Sequence, residues 1–138
     1  MTEQQPMYRG TVYPWHCDHM GHMNVMWYVG KFDEATWNVF ASVGMTIDFM
    51  RSHGSATAGV EQNIVYKKEL TAGDVIAVYS KVLEVRDRVI RIQHDMKKPD
   101  TGEAVATMTL TAVHIDSSTR RATSFPAAIR SKLEALVR

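Results

Sequence analysis

The chain has 138 residues, 45% of them hydrophobic and 22% charged, which is one domain's length (a single domain is expected over residues 1–138) and excludes a disordered composition. Its 16 Lys and Arg against 15 Asp and Glu leave a formal charge of +1, without the clustered basic surplus that a nucleic-acid partner needs. One cysteine, Cys17, excludes an internal disulfide, the polar stretch Met1–Pro6 lacks the pattern of a signal peptide, and no apolar run approaches the roughly 20 residues of a membrane span. A cytoplasmic protein that does not engage a membrane is therefore expected.

The predicted elements follow from changes of period. Met7–Trp15 carries Tyr8, Val12, Tyr13 and Trp15 and reads as a first strand. Residues His16–Asn24 form a polar, histidine-rich loop around Gly21. From Val25 the apolar spacing turns helical: Val25, Val29, Phe32, Thr36, Val39 and Val43 make one stripe, widened by Tyr28, Ala35 and Phe40. Lys31, Asp33, Glu34 and Asn38 take the wetter side. Asn24 suits the N-cap, Met23 and Tyr28 suit a hydrophobic staple, and Gly44 suits the stop.

After a connector, Met45–Gly54, the chain reads as four strands: Thr57–Leu70, Val75–Val85, Val89–Met96 and Glu103–Ile115. Turns are expected at Gly73-Asp74, at Arg86-Asp87-Arg88 and over Pro99–Gly102. Pro126 then opens a last helix, Ala127–Val137. Consecutive strands joined by short turns make an antiparallel meander whose apolar face needs a cover, and the long helix is the element that can supply it. The expected class is α+β, a curved antiparallel sheet around one long central helix.

The chemistry concentrates in Trp15–Val29, WHCDHMGHMNVMWYV, which sets Asp18, His19, His22 and Asn24 just before that helix. A helix start presents unpaired N–H groups and about half a positive charge, suited to a developing oxyanion. Gly21 lets the backbone turn tightly, and a carboxylate beside oriented N–H donors is what acyl transfer requires. Loops before helices also carry Asp, Asn and Gly simply for capping and turning.

Asp18, Gly21, His22, Met23, Asn24, Tyr28, Phe32, Asp33 and Ala35 together resemble the signature of the hotdog-fold acyl-CoA thioesterases of the 4-hydroxybenzoyl-CoA thioesterase type. Val60-Glu61, Tyr66 and Gly73-Asp74 resemble the same family, so the likeness covers most of Tyr8 to Asp116. Val25 and Thr36 depart from it where many relatives carry Asn and Arg, which leaves the acyl group open. The resemblance implies hydrolysis of an acyl-CoA to free acid and CoA, without a metal or bound cofactor. It makes Asp18 the catalytic carboxylate, as nucleophile or as base for a water. Backbone N–H groups near Asn24, Val25 and Met26 would hold the thioester oxygen, beside Gly21 and Tyr28. His22 or Asn24 would orient the water or the carbonyl, and Glu61 is a second candidate acid because some relatives use a Glu from another element.

Other readings compete with these. His16, His19 and His22 recur every three residues beside Cys17 and Asp18, but the spacing matches no common zinc pattern. Met20, Met23 and Met26 serve as adaptable packing or as the wall of an acyl pocket. His53, His94 and His114 read as surface or satisfied strand residues, and Glu61 equally as an outward strand residue. Arg86, Arg88, Arg91, Lys97 and Lys98 have the charge to grip CoA phosphates, but solvated hairpin charges are the commoner explanation and none of them is assigned to CoA. A non-catalytic acyl-CoA or small-ligand binder is the alternative function. A thioester hydratase ranks lower, since His19-Met20 follows Asp18 where Asn-Pro is usual. Unpaired strand edges, and the resemblance, imply a homodimer or a homotetramer.

Overall fold

The computed structural model describes residues 4–138; Met1–Glu3, the start of the polar N-terminal stretch, lie outside the described residues. In chain order the elements are β1 (Tyr8–Thr11), a 3-10 turn (Pro14–His16), α1 (Val25–Ser42), α2 (Ile47–Ser52), β2 (Ser55–Tyr66), β3 (Val75–Val85), β4 (Val89–Lys97), β5 (Ala104–Asp116) and α3 (Ala127–Glu134). The class is α+β. The five strands form one antiparallel sheet in the order β1-β3-β4-β5-β2.

Strands β3, β4 and β5 form the expected meander, with Arg86 N–H closing on Val89 at 2.8 Å and Lys98 N–H on Glu103 at 3.0 Å. β1 pairs antiparallel with β3, Tyr8 opposite Val78. β2 departs from the sequence expectation. It lies beside β5 at the sheet edge rather than beside β3, and Lys67 N–H donates to Val105 O at 2.9 Å. Residues 67–74 are a connection too long for a tight hairpin, so nothing local holds β2 against β3.

Three further expectations are corrected. The first strand ends at Thr11 and not at Trp15, because Pro14 has no N–H for a ladder and opens the 3-10 turn instead. The connector after Met45 contains α2, whose N-cap Thr46 accepts the Phe49 N–H at 3.2 Å. The last helix stops at Glu134, and Arg138 N–H donates to Val82 O at 3.0 Å.

Helix α1 follows the sequence closely. Asn24 caps it, with its Oδ1 accepting the Met26 N–H at 3.0 Å, and Gly44 ends it at φ +87°. Phe32 and Ala35 are fully buried and Val39 and Val43 nearly so; each such side chain contributes on the order of 1.5–3 kcal/mol where it is as large as Phe or Val. Val25 is exposed at the start of the stripe. Lys31 breaks the expected pattern: it is 4% exposed rather than on the wet side.

Contacts divide the chain into two compact units. The first comprises the N-terminal part to Asn38, Ile64–Ser80 and His94–Met108, with Val12, Phe32, Leu70, Ile76, Met96 and Met108 in its core. There His94 is fully buried, 2.8 Å from Thr36 Oγ1 and 2.6 Å from Ser80 Oγ, so it is a satisfied strand residue. The second comprises Val39–Asn63, Lys81–Gln93 and Thr109–Arg138, with Phe40, Met45, Ile90, Ile92 and Leu133 buried. In it His114 is buried against the Phe125 ring, with its Nδ1 3.1 Å from Thr123 O. Among the described residues no helix is long and apolar enough to cross a membrane.

Candidate active site

The loop before α1 is built from local hydrogen bonds that converge on Asp18. Cys17 and Met23 form an isolated antiparallel bridge. Within it Asp18 N–H donates to His22 O at 3.1 Å, and Gly21 N–H donates to Asp18 O at 3.0 Å. Gly21 sits at φ +84° with nothing within 4 Å of the place a Cβ would occupy, so backbone conformation rather than space calls for glycine. Met23, 4% exposed, anchors the loop, and its N–H donates to Leu70 O at 2.7 Å.

Both carboxylate oxygens of Asp18 are held. Oδ1 accepts the Met20 N–H at 2.8 Å, and Oδ2 accepts the Asn24 side-chain amide at 2.9 Å. These bonds, the Asn24 one foremost, hold the Asp18 carboxyl below its usual range, with His19 and His22 adding smaller attractions. Asn24 has a double role, since the same side chain caps α1 through its Oδ1. The carboxylate is thus fixed to the first turn of the helix by one residue.

The helix start supplies a donor. Asn24 N–H is taken by His16 O at 2.9 Å and Met26 N–H by Asn24 Oδ1, whereas the Val25 N–H has no acceptor among the described residues. Of the three amides expected to serve an oxyanion, Val25 is the one left open.

Asp18, His22, Val25 and Tyr28 line one cleft of about 430 Å³, together with Met20 and the chain from Tyr66 to Glu69. Tyr28 is fixed by donating its hydroxyl to Lys68 O at 3.1 Å, and Tyr66 packs edge-on against it at 5.1 Å. His22 Nε2 lies 3.1 Å from Glu69 Oε2. Glu69 is the residue the sequence did not single out: it stands in a Lys-Lys-Glu run that reads as a solvated turn, 47 positions from its partner. Glu61 lies on β2, is exposed, and is not among the residues lining the cleft.

The three loop histidines do not converge. His16 is buried, and its Nδ1 accepts the Tyr13 N–H at 3.0 Å, while His22 faces Glu69. Among the described residues no three His, Cys, Asp or Glu side chains are grouped to hold a metal ion.

Residues 12–133 match the model of a family described as the thioesterase-like superfamily. The chain belongs to that superfamily. Among its thioesterase-like relatives is an L-carnitine dehydrogenase/betainyl-CoA thioesterase of Agrobacterium fabrum, 29% identical over 119 residues, 86% of this chain and 24% of that protein. The chain therefore spans about a quarter of the length of that relative. The long-chain acyl-CoA thioesterase FadM of Escherichia coli is 25% identical over 124 residues, covering 90% of this chain and 93% of FadM. In structure, a hypothetical protein from Staphylococcus aureus in complex with CoA superimposes with a TM-score of 0.89 at 20% identity, over 100% of this chain and 89% of that one. The fold is the hotdog fold of the superfamily's thioesterases.

Proposed function

We propose that this chain hydrolyses an acyl-CoA thioester to the free acid and CoA at the cleft beside Asp18. The observation that carries the reading is the Asp18 carboxylate, clamped by Met20 N–H and Asn24 and set next to the open Val25 N–H at the start of α1. The carbonyl oxygen of the thioester accepts from Val25 N–H, where the helix dipole favours the growing negative charge. Asp18 then acts on the carbonyl carbon, either directly, breaking the C–S bond to give a mixed anhydride that water then opens to the free acid, or through a water that it deprotonates. Its ionised form is the one the two hydrogen bonds favour, so the carboxylate is ready at neutral pH. Coenzyme A leaves as the thiolate and becomes the thiol by taking up the proton that the consumed water gives up. His22, facing Glu69 across the cleft, orients the water or the substrate carbonyl. The names of the relatives support the reaction class, and they name different acyl groups, betainyl and long-chain.

The same reading includes a second copy of the chain. β2 is a 12-residue edge strand that exposes Val60, Val65 and Tyr66, and Tyr66 also lines the Asp18 cleft. An exposed apolar edge is a template for another strand, and pairing two β2 strands satisfies both. A homodimer is the smallest assembly that does so.

The reaction is tested by thiol release from a panel of acyl-CoAs, with wild type beside Asp18→Asn. Cleavage of at least one acyl-CoA, lost by about 10²–10⁴-fold in a folded Asp18→Asn protein, supports the proposal. Unchanged activity in that variant removes Asp18 from the chemistry.

A further inference from the structure

Hydrolysis consumes a water, and that water has to give a proton to a base. Asp18 is poorly suited to take it. Both of its carboxylate oxygens already accept hydrogen bonds, from Met20 N–H and from Asn24, and these hold the carboxyl below its usual range. A carboxylate so stabilised is a weak base, because proton transfer is most effective near the working pH. Each oxygen keeps a further lone pair, with which the ionised group can still attack a carbonyl carbon.

The cleft holds a second base. His22 closes the same loop, its carbonyl accepting the Asp18 N–H at 3.1 Å, and it lines the cleft beside Asp18. Its Nε2 is 3.1 Å from Glu69 Oε2. An ionised carboxylate only accepts, so Nε2 carries the hydrogen and the lone pair of the neutral ring sits on Nδ1. Nδ1 has no hydrogen-bond partner among the described residues. The other charged or titratable groups lining the cleft are Lys67, Lys68, Tyr28 and Tyr66.

Glu69 is placed by the site itself. The carbonyls on either side of it are tied to site residues: Lys68 O accepts the Tyr28 hydroxyl at 3.1 Å, and Leu70 O accepts the Met23 N–H at 2.7 Å. Leu70 is fully buried. The backbone that carries Glu69 is thus fastened to the loop that carries His22. The lysine before it is engaged elsewhere, with Lys68 Nζ 3.2 Å from Glu103. Folding gives little reason for the pair, since the two side chains are 38% and 75% exposed and an ion pair so open to water adds little stability. Exposure is, however, what a base for water requires.

We infer that His22 is the catalytic base and Glu69 its positioning residue, holding the ring so that Nδ1 takes the proton of the water that opens a mixed anhydride formed on Asp18. The inference rests on the proposed thioester hydrolysis and chooses between the two routes open to Asp18. In the first half an Asp18 oxygen bonds to the carbonyl carbon, the C–S bond breaks and CoA leaves as the thiolate. In the second half the water oxygen bonds to the acyl carbon and the water's proton passes to Nδ1. The anhydride C–O bond then breaks, giving the free acid and the Asp18 carboxylate. The imidazolium returns its proton, through solvent, to the thiolate, so the sum is one water added across the C–S bond.

The thiolate leaves before the base acts, and kinetics can see the difference. kcat/KM covers the steps through thiolate release, whereas kcat covers the whole cycle. Stopped-flow thiol release is followed with the whole chain and the acyl-CoA it cleaves fastest, in a panel that runs from acetyl- to palmitoyl-CoA and includes benzoyl-CoA. His22→Gln should lower kcat by about 10²-fold and KM with it, leaving kcat/KM level, and should show a burst of about one thiol per chain before slow turnover. Glu69→Gln should show the same split with kcat lower by about tenfold. In wild type kcat should fall towards acid as the ring takes up a proton while kcat/KM does not, and His22→Gln should lose that fall. Asp18→Asn should show no burst.

A His22→Gln protein whose kcat/KM falls as far as kcat, without a burst, places His22 in the first half and overturns the inference while thioester hydrolysis stands. So does a Glu69→Gln protein that matches wild type, since the pair would then be an incidental surface contact. Failure of the underlying reaction looks different: a wild type that cleaves no acyl-CoA, or an Asp18→Asn protein that cleaves as wild type does, removes the Asp18 chemistry and this inference with it.

Discussion

Asn24 ties two tasks to one side chain: its amide holds Asp18 at 2.9 Å and its Oδ1 caps α1 at Met26. The two separate by substitution. Asn24→Ala loses both, and we expect about 1 kcal/mol less stability in chemical denaturation along with a fall in kcat. Asn24→Asp keeps a good cap, so stability should hold, but it sets a second carboxylate against Asp18 in place of a donor. The like charge raises the Asp18 pKa. Wild-type kcat/KM should therefore stay level down to the bottom of the usual carboxylate range, whereas the acid limb in Asn24→Asp moves to higher pH. An unmoved acid limb would show that Asn24 is only a cap. This much of the site is legible in the sequence, because Asp18, Gly21 and Asn24 lie within seven residues and their bonds close inside one loop. Glu69 is not legible: its pairing with His22 spans 47 positions, and no local pattern marks it.

β2 is the element on which the proposed pairing of two copies turns. It is long, lies at the sheet edge, and exposes Val60 at 60% and Val65 at 51%. Introducing a charge is the device by which natural edges avoid partners. Val60→Lys should lower the sedimenting mass from that of a dimer to that of a monomer, at little cost to the fold of a side chain already exposed. A wild type that sediments as a monomer would sink the edge-pairing proposal outright. The elements themselves were readable to differing degrees, for physical reasons. The β3–β4–β5 meander was visible since its turns are short and polar, and α1 since its apolar spacing persists for five turns. The place of β2 was not, because its partner β5 is chosen by long-range pairing that no local pattern records. Short α2 hid in a connector that has only one cap, Thr46, to announce it. Lys31 is buried although its charge marks it for water, because its four-carbon stem packs as readily as an apolar side chain.

Stability of the chain as a whole should carry the mark of one buried imidazole. His94 of β4 is fully buried between Thr36 of α1 and Ser80 of β3, and burial lowers its pKa from 6.5 to about 4. Phe32 lies parallel to it at 6.0 Å, so an apolar ring rather than an acid faces the imidazole. In the unfolded chain the ring takes up a proton near pH 6.5, whereas in the folded protein it resists until about pH 4. Between those values the unfolded state binds more protons, so stability rises with pH and is lost as pH falls from 6.5 towards 4. The difference of about 2.5 units corresponds to about 3 kcal/mol, and for a chain of this length to a Tm lower by about 10 °C at pH 4 than at pH 7. Asp18 and Asp116, both held below the usual carboxylate range by hydrogen bonds, lose their contributions only at lower pH, so the two windows separate. His94→Gln keeps hydrogen-bonding groups for the two hydroxyls but cannot titrate. Its Tm should be lower than wild type at pH 7 and should fall less than wild type from pH 7 to about 4.5, the remaining fall coming from His16, whose pKa burial also lowers; a variant whose Tm falls over that range as steeply as wild type would locate the acid sensitivity elsewhere.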